Sequence, residues 1–128
     1  MVQELIKLFY RKSDLVEYVP IQSTNLYSDD TFTNIVGKAI YTITYIREFK
    51  EGIMFQYDIE KSVYYLDGGC IYFTISLIDK SNFRRLNIDT YNIFNISGGS
   101  EKYINATGKV YIYTDFKGVR NIVIDVNY

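Results

Sequence analysis

The stretch Cys70-Ile-Tyr-Phe-Thr-Ile-Ser-Leu-Ile78 is the clearest β-strand in this sequence of 128 residues. Its side chains alternate, which places Tyr72, Thr74, Ser76 and Ile78 on one side and Ile71, Phe73, Ile75 and Leu77 on the other. Successive side chains of a strand point to opposite faces. We therefore predict that the second set packs into one interior together with three residues near the chain end, Ile122, Ile124 and Val126.

Similar apolar or alternating runs recur along the chain, separated by turn-forming residues. They are Leu5–Tyr10, Leu15–Ile21, Lys38–Phe49, Ile53–Ile59, Val63–Leu66, Leu86–Ile96, Lys109–Thr114 and Arg120–Val126. The polar residues 22–34 are predicted to form a long loop. No helix-period segment exceeds about two turns, so the pattern favours an all-β sandwich or barrel over a βαβ architecture. Because several strands are apolar on both faces, we favour a closed barrel.

The composition supports a packed, strand-rich core and excludes several classes of functional site. The chain is 48% hydrophobic and 17% aromatic, with 14 Tyr and 8 Phe, residue types that suit strands. Its net charge is −1, with 14 basic and 15 acidic residues interspersed, so no basic surface for nucleic acid is expected. There is no His and one Cys, Cys70. This excludes zinc sites built from His and Cys, Ser-His and Cys-His nucleophile pairs, and an intramolecular disulfide. We expect no cofactor and no metal.

The N-terminal residues 1–12 carry charges throughout and contain no long apolar segment. They do not resemble a signal peptide, and no run in the sequence is long enough to span a bilayer as a helix. We therefore expect a cytoplasmic location or a place within a particle such as a virion.

Two stretches carry a resemblance to a known superfamily. The first is Ile96-Ser-Gly-Gly-Ser-Glu-Lys-Tyr-Ile-Asn-Ala-Thr-Gly-Lys-Val110, followed by the final strand Asn121–Val126. The second is Ile35-Val-Gly-Lys-Ala39, and the run Tyr65–Phe73 also fits. Together they resemble the dirigent and allene oxide cyclase-like barrels, in the same order along the chain. The resemblance implies an antiparallel β-barrel of about eight strands, often assembled as a trimer, whose enzymes work in the barrel cavity.

On this basis residues 1–128 are predicted to form a single barrel domain. Residues 1–34 supply N-terminal strands and the long polar loop, and residues 35–128 are the region that best matches the barrel.

The glycine-rich motif also has a structural interpretation. Gly98 and Gly99 can adopt positive φ at low cost, so the chain is predicted to reverse sharply there, with at least one of them in that conformation. Tyr103 would then fold inward as a plug, and Ala106 and Gly108 are small enough to let backbones approach. We therefore interpret these five residues as a structural turn.

Two main functions fit the sequence. The first is a non-catalytic structural or interaction module in an assembly, such as a virion or particle component, associating with itself as an oligomer or with other assembly proteins; tyrosines suit such contacts. The second is a cofactor-free isomerase or cyclase, or a binder of a small apolar ligand, that uses the barrel cavity. It needs carboxylates or phenols in an apolar cavity. Strand residues that could supply them are Glu48, Asp58, Glu60, Tyr41, Tyr45 and Tyr57.

Overall fold

The computed structural model describes residues 1–11, 14, 16–18, 20–80 and 91–128. This part of the chain folds into nine β-strands, and no helix is found in it. The strands are β1 (Gln3–Arg11), β2 (Val16–Tyr18), β3 (Ile21–Tyr27), β4 (Ile35–Lys50), β5 (Ile53–Leu66), β6 (Gly69–Lys80), β7 (Tyr91–Glu101), β8 (Thr107–Thr114) and β9 (Val119–Asn127). The all-β class predicted from the alternating pattern is confirmed.

The strands form one antiparallel sheet that closes on itself. Its order is β1-β9-β8-β7-β6-β5-β4-β3-β2, and an additional pairing joins β1 to β3 at Phe9 and Tyr27. This pairing closes an eight-stranded barrel, and the short β2 pairs with residues 21–23 of β3 on the same edge that β1 meets at Tyr27. Closure leaves the main strands without long free edges, which is the physical advantage of a barrel over an open sheet.

The barrel interior contains the alternating apolar residues that the sequence singled out. Ile71, Phe73 and Ile75 of β6 are buried, as are Ile122, Ile124 and Val126 of β9. The Phe73 ring packs edge-on against Tyr64, with ring centroids 4.8 Å apart. The predicted interior is confirmed at these six positions, while the side chain of Leu77 lies outside the described residues.

The predicted loop over residues 22–34 is only partly correct. Residues 21–27 form β3, which pairs with β4 from Ile21 opposite Thr42 to Tyr27 opposite Ile35. Thr24 and Leu26 of this strand are buried. The polar sequence therefore forms a strand because β4 supplies its backbone partners and because a barrel wall accepts Thr and Gln, so tertiary context overrides the local pattern.

The remaining loop, residues 28–34, is organised by Asp29. Its carboxylate accepts hydrogen bonds from the backbone N–H groups of Thr33 and Asn34 and from the hydroxyls of Thr31 and Thr33. These hydroxyl and backbone donors hold the pKa of Asp29 well below its usual range. The loop is thus a compact turn that returns the chain from β3 into β4.

The Gly98-Gly99 motif does not reverse the chain. Both glycines lie within β7, where Gly98 pairs with Tyr72 and Gly99 with Ile71, and the register shifts beside them because Ile96 pairs with Phe73. Gly98 has a φ of 154°. The motif is therefore a β-bulge, in which one strand carries an extra residue. The expectation of a positive φ at one of the pair agrees with the backbone, but the expected position of the turn was wrong.

The reversal follows the glycines, over residues 101–106. Here Glu101 and Asn105 adopt positive φ, and Tyr103 N–H donates to the Ser100 carbonyl at 3.0 Å. Tyr103 and Ala106 are buried against the core, and a Cβ at Gly108 would overlap the Asp125 carbonyl. The inward Tyr103 and the close backbone approach at Gly108 thus lie where the motif placed them.

Replacing Gly99 with alanine is expected to destabilise the fold by about 1–3 kcal/mol, the usual cost of forcing extra volume into a packed site. The added Cβ would overlap the backbone carbonyl oxygen of Tyr103 and lie 2.6 Å from that of Cys70, neither of which is a flexible side chain. Urea unfolding measures the effect. Asn95→Ala is the control, because Asn95 is an exposed residue of the same strand, where a substitution should change stability by no more than about 0.5 kcal/mol. Equal losses for the two variants would contradict a packing role for Gly99.

Among the described residues, no helix is both long and apolar enough to cross a membrane.

Candidate functional site

Five polar or titratable side chains meet inside one end of the barrel, and we call them the polar cluster: Tyr10, Tyr41, Glu60, Tyr64 and Arg120. All five are buried, with Arg120 3% and Glu60 6% exposed. Strand alternation places them inward, since each continues the inward face of its strand: Leu8 precedes Tyr10, and Ile122 follows Arg120. The cluster draws on β1, β4, β5 and β9, so it joins different parts of the barrel wall.

Arg120 is the centre of the polar cluster. Its Nη1 donates a hydrogen bond of 2.6 Å to the Tyr10 hydroxyl, and its guanidinium lies 5.6 Å from the centroid of that ring. Its Nη2 is 3.7 Å from Glu60 Oε2, close enough for an ion pair but too long for a good hydrogen bond. Tyr41 and Tyr64 also lie close enough to Tyr10 to interact with it electrostatically. Arg120 therefore links a phenol and a carboxylate that come from different strands.

Burial determines the protonation states of the cluster. Desolvation raises the pKa of Tyr10, Tyr41 and Tyr64, and the positive charge of Arg120 only partly opposes it. Burial acts to lower the pKa of Arg120, but Tyr10 and Glu60 outweigh it, so that pKa is raised. At neutral pH the cluster holds a cationic guanidinium surrounded by neutral phenols.

Three buried polar atoms beside the cluster have no hydrogen-bond partner among the described residues: Arg120 Nε, Thr114 Oγ1 and Asn92 Nδ2. Thr114 lies directly opposite Arg120 in the β8–β9 register. Buried polar groups are nearly always paired, because an unpaired one costs its full desolvation energy. Within the described residues, this end of the barrel therefore has hydrogen-bonding groups without a partner.

The cluster contains the elements of acid–base chemistry and of oxyanion stabilisation. Neutral phenols and a guanidinium are donors, and Glu60 is a carboxylate within reach of Arg120. Among the described residues, no group of three or more His, Cys, Asp and Glu is placed to hold a metal ion.

The structure brings two of the candidate residues into the cluster and separates others from it. Tyr41 and Glu60 belong to the cluster. Glu48 is exposed, and it falls on the face of β4 opposite Tyr41, so it does not contribute. Tyr57 is partly buried and falls on the face of β5 opposite Glu60. The backbones of Tyr45 and Asp58 pair with each other, and their side chains lie outside the described residues.

The sequence interpretation missed Tyr10, Tyr64 and Arg120. A signal for Arg120 was present, because it occupies the same alternating face as Ile122, Ile124 and Val126. A charged residue at the first inward position of an otherwise apolar strand marks a buried ionic site. Tyr10 continues the inward face of Leu8 in the same way, but nothing local distinguishes it from the other tyrosines.

The opposite end of the barrel carries a pocket of about 240 Å³. It is lined by Glu4, Ile6, Leu8, Val36, Leu66, Asp67, Lys102 and Tyr103. Two of its three charged groups already interact with each other: Lys102 lies 3.8 Å from Glu4, whose carboxylate also accepts a 3.0 Å hydrogen bond from the Tyr128 hydroxyl. The polar cluster, in which Arg120 Nε has no partner among the described residues, is therefore the stronger candidate site.

Raising the pH is expected to destabilise the fold through the cluster tyrosines. Their pKa values are raised above the ordinary 10.0 by burial, so above about pH 10 the unfolded chain binds fewer protons than the folded one. Stability is then complete below that pH and falls as the pH rises towards the folded-state pKa values. Urea unfolding at a series of alkaline pH values measures this, and the slope should decrease in Tyr64→Phe. A free energy of unfolding that stays constant across the alkaline pH series would contradict the presence of buried neutral phenols.

The fold and the cluster together define a closed eight-stranded antiparallel barrel with a polar site inside one end. Among solved structures, the chain is similar in fold to one described as "Pyocyanin demethylase", with a TM-score of 0.60 and 14% sequence identity over 98% of this chain and 100% of that one. No protein-family model matches the sequence. A comparison with curated proteins also finds no match.

Proposed function

We propose that this protein binds a small organic molecule inside the barrel and that the polar cluster contacts it. The observation that carries the proposal is Arg120, a buried guanidinium whose Nε has no partner among the described residues. Ligand sites in barrels combine apolar walls with a few convergent polar groups. Here the apolar wall is the core around Phe73, and the polar groups are those of the cluster.

The incomplete pairing of Arg120 favours a binding site over a purely structural ion pair. Burying a guanidinium and a carboxylate is repaid only when geometry is good and the remaining donors are satisfied. In this barrel the Arg120–Glu60 separation is 3.7 Å, and Nε and the neighbouring Thr114 hydroxyl are unpaired among the described residues. A ligand that accepts hydrogen bonds from these groups would complete the arrangement.

Two likenesses support a small-molecule role. The structurally similar protein is named for a reaction on pyocyanin, a small molecule. The motif of residues 96–110 resembles the dirigent and allene oxide cyclase-like barrels, and we include membership of that superfamily in the proposal. If the bound molecule reacts, we propose that Glu60 acts as the base and that Arg120 stabilises developing negative charge, with no cofactor needed.

Titration with pyocyanin tests the proposal. We expect saturable binding at one site, measured by isothermal titration calorimetry. Tyr41→Phe, which removes one cluster hydroxyl and keeps the ring, should weaken this binding about tenfold. Tyr65→Phe is the matched control, since Tyr65 is 46% exposed on the neighbouring strand. Absence of saturation, or equal affinities for the two variants, would argue against a ligand site at the cluster.

We also propose that copies of the barrel associate. The observation in favour is apolar exposure at the far end of the β4–β5 hairpin, where Ile46 is 50%, Phe49 69% and Ile53 37% exposed. Ile46 and Ile53 fall on one face of the hairpin and Phe49 on the other, and apolar surface left exposed in this way can be covered by a partner. Light scattering should give a mass above that of one chain, 15.0 kDa, and Phe49→Ser should reduce it. A strict monomer in the unaltered protein would refute association.

A further inference from the structure

We propose that the ligand presents a neutral hydrogen-bond acceptor, of the carbonyl type, to Arg120, Thr114 and Asn92. This inference rests on the proposed ligand-binding function and specifies the chemical class of ligand. It starts from the three buried polar atoms that have no partner among the described residues, Arg120 Nε, Thr114 Oγ1 and Asn92 Nδ2.

The three side chains come from adjacent strands and fall on one face of the sheet. Thr114 of β8 is directly opposite Arg120 of β9. Asn92 of β7 is opposite Ile112, a buried residue two positions before Thr114 on the same strand. Directly opposed residues on one face have Cβ atoms about 5 Å apart, and diagonal neighbours lie about 7–8 Å apart. The polar atoms at the ends of these side chains can therefore serve a single small functional group.

The unpaired atoms are mainly donors. Arginine Nε and asparagine Nδ2 only donate, and a threonine hydroxyl can donate or accept. The other nitrogens of Arg120 already face partners, because Nη1 donates to Tyr10 and Nη2 lies 3.7 Å from Glu60. The group that complements Nε, Thr114 and Asn92 is consequently an acceptor with two or more lone-pair directions, as a carbonyl oxygen has.

The charge of the cluster selects a neutral acceptor over an anion. Glu60 already supplies the negative charge opposite Arg120, and both are buried. A ligand carboxylate at Nε would bring a second negative charge close to Glu60 in a medium of low polarity, where like charges repel strongly. A carbonyl oxygen uses the same donors without that repulsion.

Three ligands with the same ring and nearly the same size separate the possibilities: acetophenone carries a carbonyl, ethylbenzene carries no acceptor, and benzoate carries a carboxylate. We expect acetophenone to bind the intact protein at least about tenfold more tightly than ethylbenzene, because a site built to donate hydrogen bonds rejects an analogue that leaves them unpaired. Benzoate at neutral pH should bind more weakly than acetophenone. Ligand-observed NMR titration measures all three affinities.

Thr114→Val tests the location, since it removes the hydroxyl and nearly preserves the shape. It should reduce the preference for acetophenone over ethylbenzene severalfold. Thr107→Val, at an exposed position of the same strand, should leave both affinities unchanged.

The outcomes distinguish this inference from the proposed function. Equal affinities for acetophenone and ethylbenzene would overturn the inference that the ligand presents a hydrogen-bond acceptor, but a ligand site would remain. If benzoate bound most tightly of the three, the inference that the acceptor is neutral would be overturned. Failure of all three to bind would overturn this inference, and the pyocyanin titration would then decide whether a ligand site remains.

Discussion

Replacing Phe73 with alanine is expected to lower the free energy of unfolding by about 3–5 kcal/mol, the usual cost of removing a buried aromatic side chain. Phe73 is 1% exposed at the centre of the barrel core. It packs edge-on against Tyr64, and its strand lies between β5 and β7, so no neighbouring strand can move in to fill the space. Urea unfolding followed by circular dichroism measures the loss.

Phe116→Ala is the matched control for this substitution. Phe116 is the same residue type, but it is 78% exposed and lies between β8 and β9. Its replacement should change stability by no more than about 0.5 kcal/mol, as is usual for surface positions. A loss below about 1 kcal/mol for Phe73→Ala would place that face of β6 at the surface and contradict the barrel interior.

Replacing Arg120 with methionine is expected to cost about 3–5 kcal/mol of stability, because it leaves the Glu60 carboxylate buried without its counter-charge. Both side chains are buried, so solvent screens their interaction little. The substitution also removes the 2.6 Å hydrogen bond to the Tyr10 hydroxyl. Thermal and urea unfolding at neutral pH measure the effect.

The double variant Glu60→Leu/Arg120→Met separates charge from packing. Replacing both partners of a buried pair with apolar residues is often neutral or stabilising, so the double variant should recover most of the stability lost in Arg120→Met. It should not recover ligand binding, because the guanidinium donors of Arg120 are gone. A double variant as unstable as the single one would show that Arg120 acts through packing and not through charge.

The sequence predicted the class of the fold because a strand with one buried face has apolar residues at alternate positions. In β6 and β9 the apolar residues alternate, and each inward position identified in this way and described by the structure is buried. Turn chemistry was also visible at Gly68 and Gly118, both of which adopt positive φ between strands. These features depend on neighbours one or two residues apart, which a linear sequence displays.

Other elements depended on partners that are distant in the chain. Residues 22–27 have a polar, loop-like sequence, yet they form β3 because β4 lies beside them. The sequence predicts that the chain reverses direction at Gly98 and Gly99, but pairing with β6 keeps both residues in a strand, where they form a bulge. In both cases the backbone hydrogen bonds offered by a neighbouring strand outweighed the local preference.

The candidate site shows the same division. The sequence by itself singled out Tyr41 and Glu60 as residue types suited to cavity chemistry, and its alternation put Arg120 on an apolar face. Only the closed barrel decided that Arg120 meets Tyr10, which is 110 residues away along the chain, and Glu60 on a third strand. Strand alternation is local and fixes which way a side chain points, but the side chains that it meets across the interior depend on the order and register of strands, which are set by long-range pairing.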